Sequence, residues 1–139
     1  MSKPMLVEKW VYTGADFALS HPISQRLGAI WFVVIWMVLH LALCLVGVAW
    51  VFGMSGPLES YLWLRGLLLV LFVLLTLNDA LGLLGLVGRH PIARPCVWLT
   101  LILGFPLSLP LVVYWADGVR PNLIYAHRFE TLVPLDETS

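Results

Sequence analysis

Asp79 and its neighbour Asn78 stand in the run LLTLNDALGLLG, residues 74–85, among leucines and valines. A second ionisable side chain, His40, stands in WMVLHLAL, residues 36–43, and Cys44 follows it four residues on. In a helix that spacing puts imidazole and thiol on one face. A carboxylate and an imidazole can share or relay a proton, and an imidazole beside a thiol is the start of a metal site. Each of these chemistries needs more partners than the sequence supplies. A zinc site takes three or four protein ligands, and none lies near His40 and Cys44 in sequence. A haem held by two histidines would need a second one in an apolar run, but His21, His90 and His127 all fall in the flanks. There is no nucleophile–base–orienter set, phosphate loop or Cys-x-x-Cys pair. The expectation is a protein with no catalytic residue, metal or cofactor of its own, and so no enzyme.

The setting of these residues is unusual. The chain has 139 residues, of which 60% are hydrophobic and only 12% charged. Soluble domains carry about 25% charged residues. The apolar excess is gathered into blocks, which points to an integral membrane protein. Net charge is zero, and Lys and Arg are thinly spread, so the basic patch of a nucleic-acid binder is missing. Cys44 and Cys96 are too few and too buried in apolar sequence for a disulfide framework, and they read as small hydrophobes.

Three blocks are long enough to span a bilayer, which takes about 20 residues at ~1.5 Å each. The expected spans are 28–52, 61–87 and 96–115. GMSGP at 53–57 ends the first, and GRHPIARP at 88–95 separates the second from the third. Arg65, one turn inside the second span, can snorkel to the interface. Pro106 and Pro110 are expected to kink the third span, leaving the carbonyls of Ile102 and Pro106 without their usual partners and Ser108 as a local donor. Trp31, Trp50, Trp63, Trp98 and Trp115 fall near the span ends, at headgroup level. Residues 1–27 read as an interfacial segment, with Leu6, Trp10 and Phe17 at helical spacing. Residues 116–139 read as an extramembrane tail.

An odd number of spans puts the two termini on opposite sides. Lys3, Lys9, Arg26, Arg89 and Arg94 then face Arg65, Arg120 and Arg128 across the membrane. Five cations against three favour a cytoplasmic N-terminus and a periplasmic C-terminus in a bacterial-type inner membrane.

Antiparallel packing of the first two spans brings His40 and Asp79 within ~7–8 Å along the helix axis. We expect an intramembrane His40–Asp79 pair with Asn78 as auxiliary hydrogen-bonder. One reading makes it a structural clamp or subunit contact that fixes helix register. The other makes it a centre of proton or quinone chemistry. Gly82, Gly85 and Gly88 recur every third residue, a ridge of small residues that suits close helix packing.

In size and three-span topology the chain resembles the membrane anchor subunits of succinate dehydrogenases, and SQRLG at 24–28 is similar to the Ser…Arg…Gly stretch before their first span. Asn78 and Asp79 stand where those subunits carry a haem-ligand histidine. The chain is also similar, in size and topology alone, to immunity proteins that protect bacteria from pore-forming toxins. The composite expectation is an all-α bundle of three transmembrane helices. It would act as a small non-catalytic accessory or assembly subunit of a larger inner-membrane complex, a respiratory one among the candidates. Its partners would be lipid and other membrane subunits or further copies of itself. The alternatives are an immunity or regulatory protein that blocks a toxin or channel, and a quinone- or haem-associated redox anchor.

Overall fold

The computed structural model describes residues 6–53 and 60–134. The turn expected at 53–57 lies, Gly53 apart, outside the described residues, as do Lys3, Glu59, Asp136 and Glu137. The elements run β1 (Leu6–Tyr12), α1 (Ala15–Ser20), a single 3-10 turn at Pro22–Gln25, α2 (Ile30–Gly53), α3 (Leu62–Val87), α4 (Ala93–Leu103), α5 (Leu109–Asp117), α6 (Val119–Ala126) and β2 (Arg128–Pro134).

Helices α2 and α3 fill the first two apolar runs. They have 24 and 26 residues, so each is ~36–39 Å long and able to cross a ~30 Å hydrocarbon layer. They are unlike the core helices of a soluble protein. Only 28% of the most apolar stretch in the first, and 11% in the second, is buried inside the protein. They meet in a steady antiparallel register, with Met37 against Gly82, His40 against Asp79, and the Phe72 ring over Gly47. At the far end Arg65 donates to the carbonyl of Phe52, one of the last of α2. The guanidinium thus satisfies a helix C-terminus instead of merely reaching for water.

The third apolar run is not one helix, contrary to the sequence expectation of a kinked span over 96–115. It is a helical hairpin: α4 has 11 residues and α5 has 9, with a turn at 104–108 between them. Neither arm reaches ~17 Å, too short to cross. Pro106 lies in the turn, and Pro110 sits in the first turn of α5, where its missing N–H costs nothing. The carbonyls expected to be orphaned are satisfied by this geometry. Ile102 accepts from Phe105 N–H and Pro106 accepts from Leu109 N–H. Ser108 does act as a local donor, to the carbonyl of Leu101. Gly104 lets the Trp36 indole of α2 lie directly on the turn, a space that any Cβ would occupy.

The flanks also depart from expectation. Residues 6–12 form a strand, not an interfacial helix, and it pairs antiparallel with β2, from Leu6 opposite Pro134 to Tyr12 opposite Arg128. Gly14, at φ 86, ends the strand and starts the short α1. The segment after Gly118 is not a loose tail. Leu123, Ile124 and Tyr125 of α6 are fully buried, and Trp115 lies against Tyr125 with ring centroids 5.2 Å apart. Trp115 is therefore a core residue and not a headgroup anchor.

One apolar cluster holds this end of the molecule together. Ile30, Val33 and Met37 of α2 meet Leu86 of α3, Val97 and Leu101 of α4, Trp115 and Tyr125. Polar ties close the same end. Arg89 donates to the carbonyl of Gln25, Arg120 to that of Ile23 and Tyr125 to that of Leu86, while Arg94 reaches the Asn122 side chain. Burial pushes the Tyr125 phenol up from its ordinary value, with Arg89 opposing in part, so the hydroxyl stays a donor. Both strands, the start of α2, the α3–α4 turn and the end of α5 thus lie at one end. The strand pairing brings both ends of the described chain to one end of the molecule, where the sequence expectation placed them at opposite ends.

Gly82 and Gly85 pack inside the chain and do not form a ridge for a partner. A Cβ on Gly85 would lie 2.8 Å from the backbone nitrogen of Ala93. One on Gly82 would meet the flexible tip of Met37 and stand 3.0 Å from the Cβ of Cys96, and one on Gly88 would meet only the carbonyl of Leu84 in its own helix. Because backbone yields less than a methionine tip, Gly85→Val is expected to cost ~1–3 kcal/mol or more. Gly82→Ala should cost less, and Gly88→Ala least. Unfolding titrations of the three variants in mixed micelles check the order.

Candidate functional site

His40 sits ten residues into α2 and Asp79 eight residues from the end of α3, so both lie ~12–15 Å from the closed end of the molecule. The register described above brings them together. His40 Nδ1 is 2.6 Å from Asp79 Oδ2. Asp79 is fully buried, and the His40 side chain is 17% exposed. Sequence reasoning placed the two within 7–8 Å along the axis, and side-chain reach closes the gap.

Asn78 does more than assist Asp79. Its amide donates to the main-chain carbonyl of Cys96 at 3.2 Å, and approaches Asp79 Oδ1 at 3.4 Å. Asn78 therefore ties α3 to α4 while Asp79 ties α3 to α2. Thr100, fully buried on α4, donates to the Val97 carbonyl and touches Met37 Sδ of α2 at 2.9 Å. The result is a polar seam of three helices. Sequence spacing missed Thr100 and the Cys96 carbonyl, because both depend on where α4 packs.

Cys44 Sγ lies 3.7 Å from His40 Nδ1, and the ligand-type atoms of His40, Cys44 and Asp79 all fall within 4.8 Å of one another. Two ligands bound tetrahedrally to one zinc ion at ~2.0–2.1 Å stand ~3.3 Å apart. The 2.6 Å contact is shorter, so this is the geometry of a hydrogen-bonded dyad. Chemically the arrangement can share one proton between imidazole and carboxylate. Asn78 is already engaged with the chain itself. Gly82 lies one turn from Asp79 and lets Met37 and Cys96 close over that level.

A furrow runs along the face of α2 that carries His40. Its deeper part, about 220 Å³, is lined by Trp36, Leu39, His40, Leu43 and Leu107. Its shallower part, about 440 Å³, shares Trp36 and Leu39 and adds Ala29, Pro110 and Tyr114. Trp36 Nε1 and the Tyr114 hydroxyl are buried with no hydrogen-bond partner among the described residues. Compared with protein-family models, with curated proteins and with solved structures, the chain matches none.

Proposed function

We propose that the chain is an integral membrane protein with two spans and a helical hairpin that dips part-way into the bilayer, and that it serves as a non-catalytic accessory or assembly subunit of a larger inner-membrane complex. The observation that carries the membrane reading is the exposed apolar surface of α2 and α3. Beyond the level of His40, Leu43, Val46, Trp50, Leu67 and Leu74 of these two helices all lie open among the described residues. A surface this large and this apolar is covered by lipid or by another protein.

The polar seam supports the non-catalytic part. Asp79, Asn78, Thr100 and Ser108 each bond within the chain and bind its own helices together. In this reading His40–Asp79 is a clamp that sets helix register. Orientation follows from the closed end. Lys9, Arg26, Arg89, Arg94, Arg120 and Arg128 gather there, against Arg65 alone at the other end, and residues 54–61 add no Lys or Arg. Six against one supports a cytoplasmic strand-bearing end.

The test is purification of the tagged chain from native membranes in a mild detergent, with mass spectrometry of what accompanies it. The expected result is a defined set of integral membrane subunits in constant ratio. A chain that runs alone as a monodisperse monomer, with nothing in constant ratio, overturns the accessory role.

A further inference from the structure

His40, Cys44 and Asp79 carry three kinds of metal ligand, and the fold gathers them where sequence spacing could not. His40 and Cys44 stand one turn apart on α2, and Asp79 comes from α3, 39 residues after His40. Their nitrogen, sulfur and carboxylate oxygen lie within 4.8 Å of one another, and Cys44 and Asp79 are buried. Three protein ligands and one open position make up the open class of zinc site. The sequence expectation of no metal rested on the want of a third ligand, and α3 supplies it.

The separations suit a single ion. Zinc bonds of ~2.3 Å to sulfur and ~2.0 Å to nitrogen, at a tetrahedral angle, set the two atoms ~3.5 Å apart. Cys44 Sγ and His40 Nδ1 are 3.7 Å apart. The imidazole–carboxylate contact is the one that must open, from 2.6 Å in the hydrogen-bonded dyad to ~3.3 Å around an ion. His40 has the room to give: its side chain is 17% exposed and lines the hollow of about 220 Å³ beside α2. The other carboxylate oxygen, Oδ1, is approached by the Asn78 amide at 3.4 Å. Carboxylates that hold a metal are themselves oriented by hydrogen bonds of this kind.

We propose that His40 Nδ1, Cys44 Sγ and the Asp79 carboxylate bind one divalent transition-metal ion, with zinc the best fit. Charge and softness choose it. Such ligands bind as neutral imidazole, thiolate and carboxylate, so a divalent ion makes a neutral set, as a buried site favours. Monovalent copper would leave one negative charge over. Calcium and magnesium take oxygen ligands, whereas a mixed nitrogen, sulfur and oxygen set suits a borderline ion. The ion takes the place of the proton between imidazole and carboxylate, and the thiol gives up its own proton to solvent on ligation. The hydrogen-bonded clamp between α2 and α3 becomes a coordinate one. The site stands whether or not the chain has partner subunits.

The experiment is a cobalt(II) titration of the full chain, purified in mild detergent on a tag without histidine and stripped with a chelator. Cobalt is the spectroscopic stand-in for zinc. One cobalt per chain is expected, with the near-ultraviolet charge-transfer band that a bonded thiolate gives, and one equivalent of zinc should erase that band. Cys44→Ala, which leaves the dyad in place, should abolish the band and weaken zinc binding at least about a hundredfold, since even a partner behind a ligand is worth 10–100-fold. Asp79→Asn, of the same shape but without the charge, should weaken zinc binding as well. Cys96→Ala, at the chain's other thiol, should keep both band and affinity. Thermal melts separate ligation from folding. Without metal Cys44→Ala should melt close to the wild type, and zinc should raise the melting temperature of the wild type and leave that of Cys44→Ala unmoved. An absent band overturns the proposal. So does a band that survives Cys44→Ala or is lost with Cys96→Ala, or zinc that stabilises the wild type and Cys44→Ala equally.

Discussion

Asp79→Leu is expected to move two measurements in opposite directions. Insertion of α3 becomes more favourable, because a central Asp costs ~2.5–3.5 kcal/mol on insertion scales and Leu gains a few tenths. The folded bundle becomes weaker, because His40 loses the partner 2.6 Å away and α2 loses its polar tie to α3. In a soluble core, breaking a buried pair costs ~3–5 kcal/mol. Interhelical hydrogen bonds in membranes average only ~0.6 kcal/mol and reach ~1.7. The second scale fits better, because His40 is partly exposed and so is not left as a fully buried unpaired group. A loss of ~1–2 kcal/mol is therefore expected in an unfolding titration, with an unchanged or larger inserted fraction in a glycosylation-mapping assay. In a double-mutant cycle with His40→Leu the two losses should fall short of additive by ~1 kcal/mol. Strict additivity would mean that the contact carries no energy. Asp79→Asn, which keeps an acceptor but no charge, should retain part of the coupling.

The second large effect is all-or-none. Fluorescent-protein fusions at either terminus should both glow, since that reporter matures in the cytoplasm. A reporter that requires export should be active only when inserted near Pro57. The strand pairing and the burial of α6 put both termini on one side, and the six-to-one division of cations favours the cytoplasm for that side. A dark C-terminal fusion beside a bright N-terminal one would restore the three-span arrangement and remove the half-length hairpin from any account of the protein.

The two long helices and the polar pair were legible because they depend on local quantities. Run length gives α2 and α3 to within two residues, and antiparallel counting gives the His40–Asp79 level. The hairpin was harder. A run of 20 apolar residues passes any length test, and Pro106 and Pro110 read equally well as kinks. The distinguishing signal was Gly104 two residues before Pro106, which is turn chemistry and not kink chemistry. That one difference brings β2 to the same end of the molecule as β1, and turns a five-to-three division of cations into six to one. The strands were illegible for another reason. Leu6, Trp10 and Phe17 match a helical stripe, while Val7, Lys9 and Val11 alternate with Glu8 and Trp10 over too few residues to settle the period. What settles it is a partner at the other end of the chain. The same holds for Gly28, whose φ of 54 and contact with Arg120 involve residues that sequence spacing cannot bring together.

The pairing of β1 with β2 also sets a timetable. β1 is made before every helix described, and its partner β2 after all of them. Domains generally acquire structure from the N-terminus as they are made, but here β1 has nothing to pair with until α6 is complete. A nascent chain stalled before Arg128 would hold its helices and lack its clasp, so the strand pairing is the last tie of the described fold that can form.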